Sequence, residues 1–405
     1  MNRFTRQMAS YLQQFGAVVR NEFRTIFTDG GVLLILVFAM LIYATAYSLA
    51  YGSQVLRNVP IGVVDACRTA TSRSLIETFN AGPNTYVAYE PTDMEEAREL
   101  FYGRKIYGVV YIPSDYERKL VGGSQADVAI YCDASYFLMY RQVFQELVTT
   151  IGQTGAMVEF RRLIAKGTDI PQAQAVTQPV IYQSHNLFNP YLGYGTFVMP
   201  AIIIVIIQQT MLIGIGMIGG TWREHGLYRK LRPAGRGRMS TLPIVLGRAT
   251  VYALIYAVTC AYVLGLHYRM FHFPMNGQTG AVALFTAVYL AACIAMSIAV
   301  STLFRYRENS LLLLLWTSIP VLMLSGISYP REGIPEWMFA LGKLFPSSHG
   351  VNGFIRIQTM GASLGEGFAE IKWLVILTVA YGGLACIGIH QVIRREERER
   401  CGKGE

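Results

Sequence analysis

Six apolar runs constrain this chain more than any other feature: Gly31–Tyr51, Gly195–Gly219, Leu242–Leu266, Gly280–Phe304, Ser310–Ser328 and Ile371–Ile393. Each is about 20 residues long, the length at which a helix crosses a hydrocarbon core of ~30 Å. None contains Asp or Glu. A pump driven by protons or sodium ordinarily carries a titratable or ion-coordinating acid at mid-membrane. The sequence also lacks a GxxxxGK(S/T) phosphate loop, so ATP hydrolysis by the chain itself is not expected. What remains is a channel, a scaffold or the passive half of a driven machine, and the rest of the sequence favours the third.

Composition agrees with a polytopic membrane protein: 52% of the 405 residues are hydrophobic and only 15% charged. The net charge of +9 would suit nucleic acid, but its placement does not. With the N-terminus in the cytoplasm, the inner segments hold Arg3, Arg6, Arg20 and Arg24, then Arg223, Arg229, Lys230, Arg232, Arg236 and Arg238. They also hold Arg305 and Arg307, and the final Arg394, Arg395, Arg398, Arg400 and Lys403. The two short outer loops carry only Arg269, Arg331, Lys343 and Arg356, with Lys372 at the outer edge of the last run. This asymmetry is the positive-inside pattern and puts both termini in the cytoplasm. Arg248, one turn into the third run, is expected to snorkel to the same face. The first run is too long for a signal peptide and follows about 30 patterned residues, so no cleavage is expected.

The chain then divides as follows. Residues 1–30 form an amphipathic basic helix. Phe4, Met8, Tyr11, Leu12, Phe15, Val19, Phe23, Ile26 and Phe27 recur at helical steps, with arginines and amides between them. It is expected in the cytoplasmic interface, or packed on a partner. Residues 31–51 form the first transmembrane helix. Residues 52–194 form an extracytoplasmic α/β domain, with strands at Val59–Asp65, Tyr107–Ile112 and Val128–Tyr131. In it, Thr92-Asp93-Met94-Glu95 and Ser114-Asp115-Tyr116-Glu117 read as capping boxes, and Phe137–Lys166 as a long helix. Residues 195–393 carry transmembrane helices two to six, with a cytoplasmic loop at 221–241 and an outer loop at 329–370. In the first of these loops, Arg223–Leu231 reads as a brief helix stopped by Pro233 and a Gly-rich turn. In the second, Glu336–Phe345 reads as a short re-entrant helix, a backbone that needs protein or water around it at that depth. Residues 394–405 are a basic tail. The fold class expected is an α-helical polytopic membrane protein of six transmembrane helices with an inserted α/β extracytoplasmic domain.

No catalytic or metal centre emerges. His267 and His272 are five apart with no acid or cysteine to complete a site, and His185, His225, His349 and His390 stand alone. No Ser/His/Asp set is identifiable. Cys67 and Cys132 lie on the oxidising side, but two cysteines without a framework do not establish a bridge. Within the runs, Gln208 and Gln209 are the clearest polar residues; such amides join helices or face a cavity. Together with Tyr256 and Trp316 they are the candidates for a substrate path, weighed against plain packing.

The order of parts resembles the ABC transporter type 2 permease family, in the branch with a large ectodomain after the first span. The motifs that carry this are Asp93-Met94-Glu95-Glu96-Ala97-Arg98 followed by Tyr107-Gly108-Val109-Val110-Tyr111-Ile112-Pro113, then Asn189-Pro190 and Val198-Met199-Pro200. After the fifth run come Ser325-Gly326-Ile327-Ser328-Tyr329-Pro330, Ile334-Pro335-Glu336-Trp337 and Leu344-Phe345-Pro346. Arg223-Glu224-His225-Gly226 is similar to the family's coupling helix, which docks on an ATPase. Here the chain departs from the commoner pattern, with Leu227 in place of Thr, Arg229 in place of an acid, and an early Pro. The coupling candidates are Arg223, Glu224, Gly226 and Leu231; the alternative is a purely topogenic basic cluster. Glu224 is the acid of that basic segment, explained by a partner contact or by a local ion pair with Arg229.

The resemblance implies a non-catalytic exporter subunit of a bacterial inner membrane, without cofactors, moving a lipophilic or drug-like compound. Its implied partners are an ABC ATPase subunit, a second permease copy or a paralogue, membrane lipid, and a periplasmic adaptor with an outer-membrane channel. Nucleic acid is not among them. Export of sodium or a polymer, and a membrane-anchored sensor or scaffold with a ligand-binding ectodomain, are the alternatives.

Overall fold

The computed structural model describes residues 3–181, 183–231 and 238–401. The chain forms two compact units: Met1–Gln54 with Asn186–Glu405, and Val55–His185. The expected stop at Pro233 and the glycines beside it lie outside the described residues.

The first unit begins with α1 (Arg3–Thr28) and α2 (Gly30–Ala50), the latter containing a π-helical turn at Leu34–Phe38. Asp29 separates them. Its Oδ1 accepts hydrogen bonds from the amides of Gly31 and Val32 at 3.1 and 3.2 Å, capping α2. The same carboxylate takes Arg307 Nη2 at 2.9 Å. The chain leaves this unit at Gln54 and returns a few residues before Gly193. The two ends are stapled together: Gln54 O accepts from Tyr194 N at 2.7 Å, and Gln54 Oε1 from Thr196 N at 2.9 Å. Asn189 rigidifies the return, its amide bonding Gly193 N and Gly193 O at 2.9 Å each.

The second unit is built on a sheet of order β2-β1-β3-β4. Strands β1 (Val59–Asp65), β2 (Thr85–Tyr89) and β3 (Gly108–Ile112) run parallel; β4 (Ala129–Cys132) pairs antiparallel with β3. The near-continuous apolar sequences of β1 and β3 reflect burial on both faces. One face packs Val63, Val110 and Ile112 against Leu75 and Phe79 of α3 (Ala70–Asn80) and Val143 and Leu147 of α6 (Phe137–Ala165). The other packs Val64 and Val109 against Ala97 of α4 (Met94–Tyr102). The first expected capping box is displaced by one residue. Asp93 is the cap, accepting from Glu95 N and Glu96 N, while Glu96 reaches back to Thr92 N at 2.7 Å. The second box does not form: α5 (Tyr116–Val121) has no side-chain cap, and Glu117 accepts the Thr71 hydroxyl rather than reaching back to the backbone. β2, five residues of mixed polar, aromatic and small character too short to register in the sequence, is an added strand. α7 (Ile170–Thr177) completes the unit.

Returning to the first unit, α8 (Tyr194–Glu224) is its central helix, with buried residues along its whole length. α9 (Leu242–Met270), α10 (Thr279–Ser301) and α15 (Phe368–Cys401) pack around it or around one another. Five helices are long and apolar enough to cross a membrane among the described residues: α2, α8, α9, α10 and α15 through Glu399. The run Ser310–Ser328 differs from expectation. It forms two shorter helices, α11 (Arg307–Trp316) and α12 (Ser318–Leu324), parted at Thr317. Pro320 supplies the reason, since it has no amide to return to the carbonyl of Trp316.

The loop at 329–370 also differs. α13 (Glu336–Gly342), the expected re-entrant segment, leaves Trp337 66% exposed. The helix that sinks into the bundle is the next one, α14 (Pro346–Phe354), nearly all of whose residues are buried. Gly350 permits it, because a Cβ there would lie 2.4 Å from the Tyr289 ring.

Cys67 and Cys132 are free thiols, so no bridge joins them. Burial pushes the Cys132 thiol up to about 11. In a variant retaining Cys132 as its sole cysteine, alkylation should therefore rise about tenfold per pH unit from pH 7 to about 9.5 without levelling. A rate that bends over near pH 8.5 and is almost level by about pH 9.5, as for a thiol of ordinary pKa, would contradict this burial.

Candidate functional site

The candidate site lies where α8 ends and the chain turns into α9. The brief separate helix expected at Arg223–Leu231 is absent. α8 runs unbroken through Arg223 and Glu224, so these two residues are the last of the long apolar helix. The chain then turns at Gly226, whose φ of +58° suits a residue without Cβ, and makes a 3₁₀ turn at Tyr228–Leu231. Glu224 is exposed, and among the described residues it has no ion-pair partner, so the local pair with Arg229 is not made.

Three groups hold this turn. From α1, Gln14 Nε2 donates to Leu231 O at 3.0 Å. From α15, the buried Glu396 carboxylate accepts the Arg229 amide at 3.0 Å. From below the turn, Tyr228 is fully buried, its ring edge-on to Trp222 with centroids 5.6 Å apart. Burial pushes the Tyr228 phenol up, holding it neutral.

Under Trp222 lies a buried ionic cluster. Arg248 does not snorkel: it is completely buried, and its Nε donates to Glu22 Oε1 at 2.8 Å. Glu22, on α1, is equally buried. The Tyr252 hydroxyl donates to the same Glu22 oxygen and lies 3.4 Å from Arg248 Nη2. The guanidinium stacks over the Trp222 ring at 5.3 Å. The arrangement turns one face of α1 inward, with Val18 and Ile26 in the main core beside Glu22. Leu12, Phe23 and Phe27 stay exposed on its outer side.

Deeper in the bundle, the substrate-path candidates separate. Gln208 is fully buried and its Oε1 accepts the Ser347 amide of α14 at 2.7 Å. Tyr256 donates to Thr210 Oγ1 at 2.7 Å, joining α9 to α8. Both therefore act as interhelical ties. Gln209 is buried with neither end of its amide partnered. Trp316 stands apart, 79% exposed on the outside of α11. Sequence reasoning missed Gln14, Glu22, Trp222, Tyr228 and Glu396. Glu22 carried a signal: it is the sole acid of residues 1–28 and lies one turn from Val18 and Ile26, on the apolar face. Arg248, a lone cation in an apolar run, was its complement.

Comparison with known proteins bears on both units. A family model described as ABC-2 family transporter protein matches residues 30–387. The probable multidrug ABC transporter permease YbhR of Escherichia coli is 21% identical over 372 residues, covering 91% of this chain and 96% of that one. The inner membrane transport permease YhhJ of Escherichia coli is 25% identical over 376 residues, covering 89% and 92%. ABC transporter G family member 20 of Dictyostelium discoideum is 20% identical over 365 residues, which make up 48% of that longer protein.

The Glu22–Arg248 pair yields a stability prediction. Glu22→Gln should lower the stability of the purified protein by about 3–5 kcal/mol, because Arg248 is left buried without its countercharge. The double variant Glu22→Leu with Arg248→Met should recover most of that loss. Thermal unfolding in detergent reads both; equal loss in the single and double variants would show that the charge itself is not what matters.

Proposed function

The chain belongs to the ABC-2 family of transporter proteins, and we propose that it is the membrane-spanning permease of an ATP-driven exporter in a bacterial inner membrane. A separate ATPase supplies hydrolysis, and the cargo is a lipophilic or drug-like compound. The observation that carries this reading is the match itself, which spans the helical bundle and the unit inserted within it together. The names of the two bacterial relatives, a probable multidrug permease and an inner membrane transport permease, support the direction and class of transport.

On this reading the chain makes six crossings, α11 and α12 together forming the fifth around the Thr317 break. Residues 52–194 lie outside, both termini inside, and the loop 329–370 on the outer side. α1 lies in the inner interface with Leu12, Phe23 and Phe27 toward lipid. Two copies, or one copy and a paralogue, pair around a common path, and a periplasmic adaptor meets the inserted unit. Arg223, Glu224, Gly226 and Leu231 form the surface that receives the ATPase. Gln209, with its unpartnered amide, is the polar contact on the substrate path; Gln208 and Tyr256 position the helices around it, and Trp316 faces the bilayer or the second copy. ATP closure of the ATPases shifts the population between two arrangements of the helices.

Glu224, exposed and without an ion-pair partner among the described residues, gives the direct test. Glu224→Arg should leave expression and insertion intact while weakening ATPase association by about 2–5 kcal/mol, the cost of reversing a charge at an interface. Co-purification with the ATPase and export by intact cells are the readouts, and wild-type behaviour in both rejects the docking role. Topology is tested by cysteines at Ser124 and Asn309, both exposed. An impermeant thiol reagent should label the first in intact cells and the second only after permeabilisation; the reverse pattern would invert the assignment.

A further inference from the structure

A cavity of about 390 Å³ opens between α9 and α10, within the range of small-molecule sites. It lies toward the Arg269 end of α9, the end opposite the Glu22–Arg248 cluster. Small residues make room for it: Ala257, Ala261 and Gly265 on α9 face Ala283 and Ala287 on α10. α9 is π-helical at Tyr262–His267, along the same wall. From Ala257 to Arg269 the wall extends about 18 Å at the helical rise.

Three polar groups are set on this apolar wall. Gln358 is 2% exposed, lines the cavity, and its Nε2 has no hydrogen-bond partner among the described residues. Its main chain is held firmly. Gln358 O takes the amides of Asn276 and Gly277, each at 3.1 Å, and Asn276 Nδ2 bonds Thr359 O at 2.8 Å. Thr286 is 7% exposed, also lines the cavity, and its hydroxyl is likewise unpartnered. Thr210 and Thr378, by contrast, turn their hydroxyls onto a carbonyl one turn back. Arg269 lines the cavity, is exposed, and among the described residues meets no carboxylate. A buried polar group without a partner is costly, and more so in hydrocarbon. All three groups can donate, so the complementary occupant presents acceptors to them and an apolar chain to the wall.

We propose that this cavity is a binding site for an anionic phospholipid. Its phosphate meets Arg269, its ester carbonyls accept from Gln358 Nε2 and the Thr286 hydroxyl, and an acyl chain lies between Ala261 and Ala287. Leu254, Val258, Leu266 and Leu284, exposed on the same two helices, would flank it as ordinary lipid-facing surface. The proposal rests on α9 and α10 crossing the membrane, and not on ATPase partnership or on the cargo. A lipid here would brace the outer halves of the two helices.

The test uses the full chain in nanodiscs with photoactivatable phosphatidylglycerol or phosphatidylcholine carrying a diazirine in the acyl chain. Labelled peptides are mapped by mass spectrometry. Phosphatidylglycerol should label the 257–265 and 282–290 segments, and Ala261→Trp, which fills the cavity, should abolish that labelling while labelling at Leu254 persists. Arg269→Gln, at an exposed position, should reduce the preference for phosphatidylglycerol over phosphatidylcholine about fivefold, the equivalent of ~1 kcal/mol per basic residue. Labelling unchanged by Ala261→Trp overturns the site. So does equal labelling by the two lipids in the wild-type protein, or cross-linking of this face to a second copy in place of lipid. Export and ATPase association are read separately, so failure of the lipid site leaves the transport reading standing.

Discussion

The ion pair between Glu22 and Arg248 is the interaction on which the end of the bundle at the α8–α9 turn is organised. Neither residue touches solvent. A single buried charge of either sign would be prohibitive, so the two helices that carry them must meet. That requirement fixes the face of α1 that turns inward and presses Val18 and Ile26 into the core. It also sets the floor on which Trp222 rests, and Trp222 in turn receives Tyr228. The turn after α8 is thus built upward from a charge pair. Its surface residues, Glu224 among them, are exposed because those beneath them are anchored.

A second tie acts deeper. Gln208 holds the first turn of α14 through the Ser347 amide. The amides at the start of a helix have no partner within it, and inside a bundle they have no water either. Placing an amide oxygen at that point satisfies the donor and lets a chain segment enter from one end and stop in the interior. Pro346, at the start of the same helix, removes another donor that would have needed a partner. Tyr289, donating to Ile204 O at 2.6 Å, closes the neighbouring gap. The polar residues of these spans serve architecture first. Gln209, without a partner among the described residues, is the one amide of the pair that architecture does not explain.

How much of this was legible in the sequence follows from the physics of each feature. Long apolar runs report helices directly, because length and composition suffice. The strands β1 and β3 were visible as continuous apolar stretches, whereas β2 was not: Thr85–Tyr89 is half polar or aromatic and lies at the sheet edge, where only one neighbour restrains composition. The end of α8 was misjudged because Arg223 and Glu224 look like the start of a loop, yet nothing in them breaks a helix. Trp337, Phe339 and Leu341 of α13 look apolar enough to bury, yet the packing space, opened by Gly350, belongs to α14. Arg248 was expected to snorkel because its partner lies 226 residues away in sequence, and pairing at that distance leaves no periodic trace.

The same contacts suggest how a push at the turn after α8 would travel. α8 is continuous from Tyr194 to Glu224, and although Pro200 removes one hydrogen bond near its Tyr194 end, the stretch from there to Glu224 is uninterrupted and can transmit displacement as a rigid element. Its Glu224 end carries the proposed docking residues; its middle carries Gln208, bound to α14; its Tyr194 end is stapled to Gln54 by Tyr194 and Thr196. α1 and α15 hold the turn through Gln14 and Glu396, so they would follow rather than resist. A displacement of Glu224 by an ATPase would then reach α14 and the chain leading into the inserted unit through two side-chain amides. On the proposed function, Gln208 is the pivot of that linkage. Gln208→Leu would free the Ser347 amide inside the bundle, and it should lower export more than it lowers ATPase association, since the docking surface is untouched. Equal loss of both, measured by co-purification and by efflux from intact cells, would mean that α8 does not act as the lever.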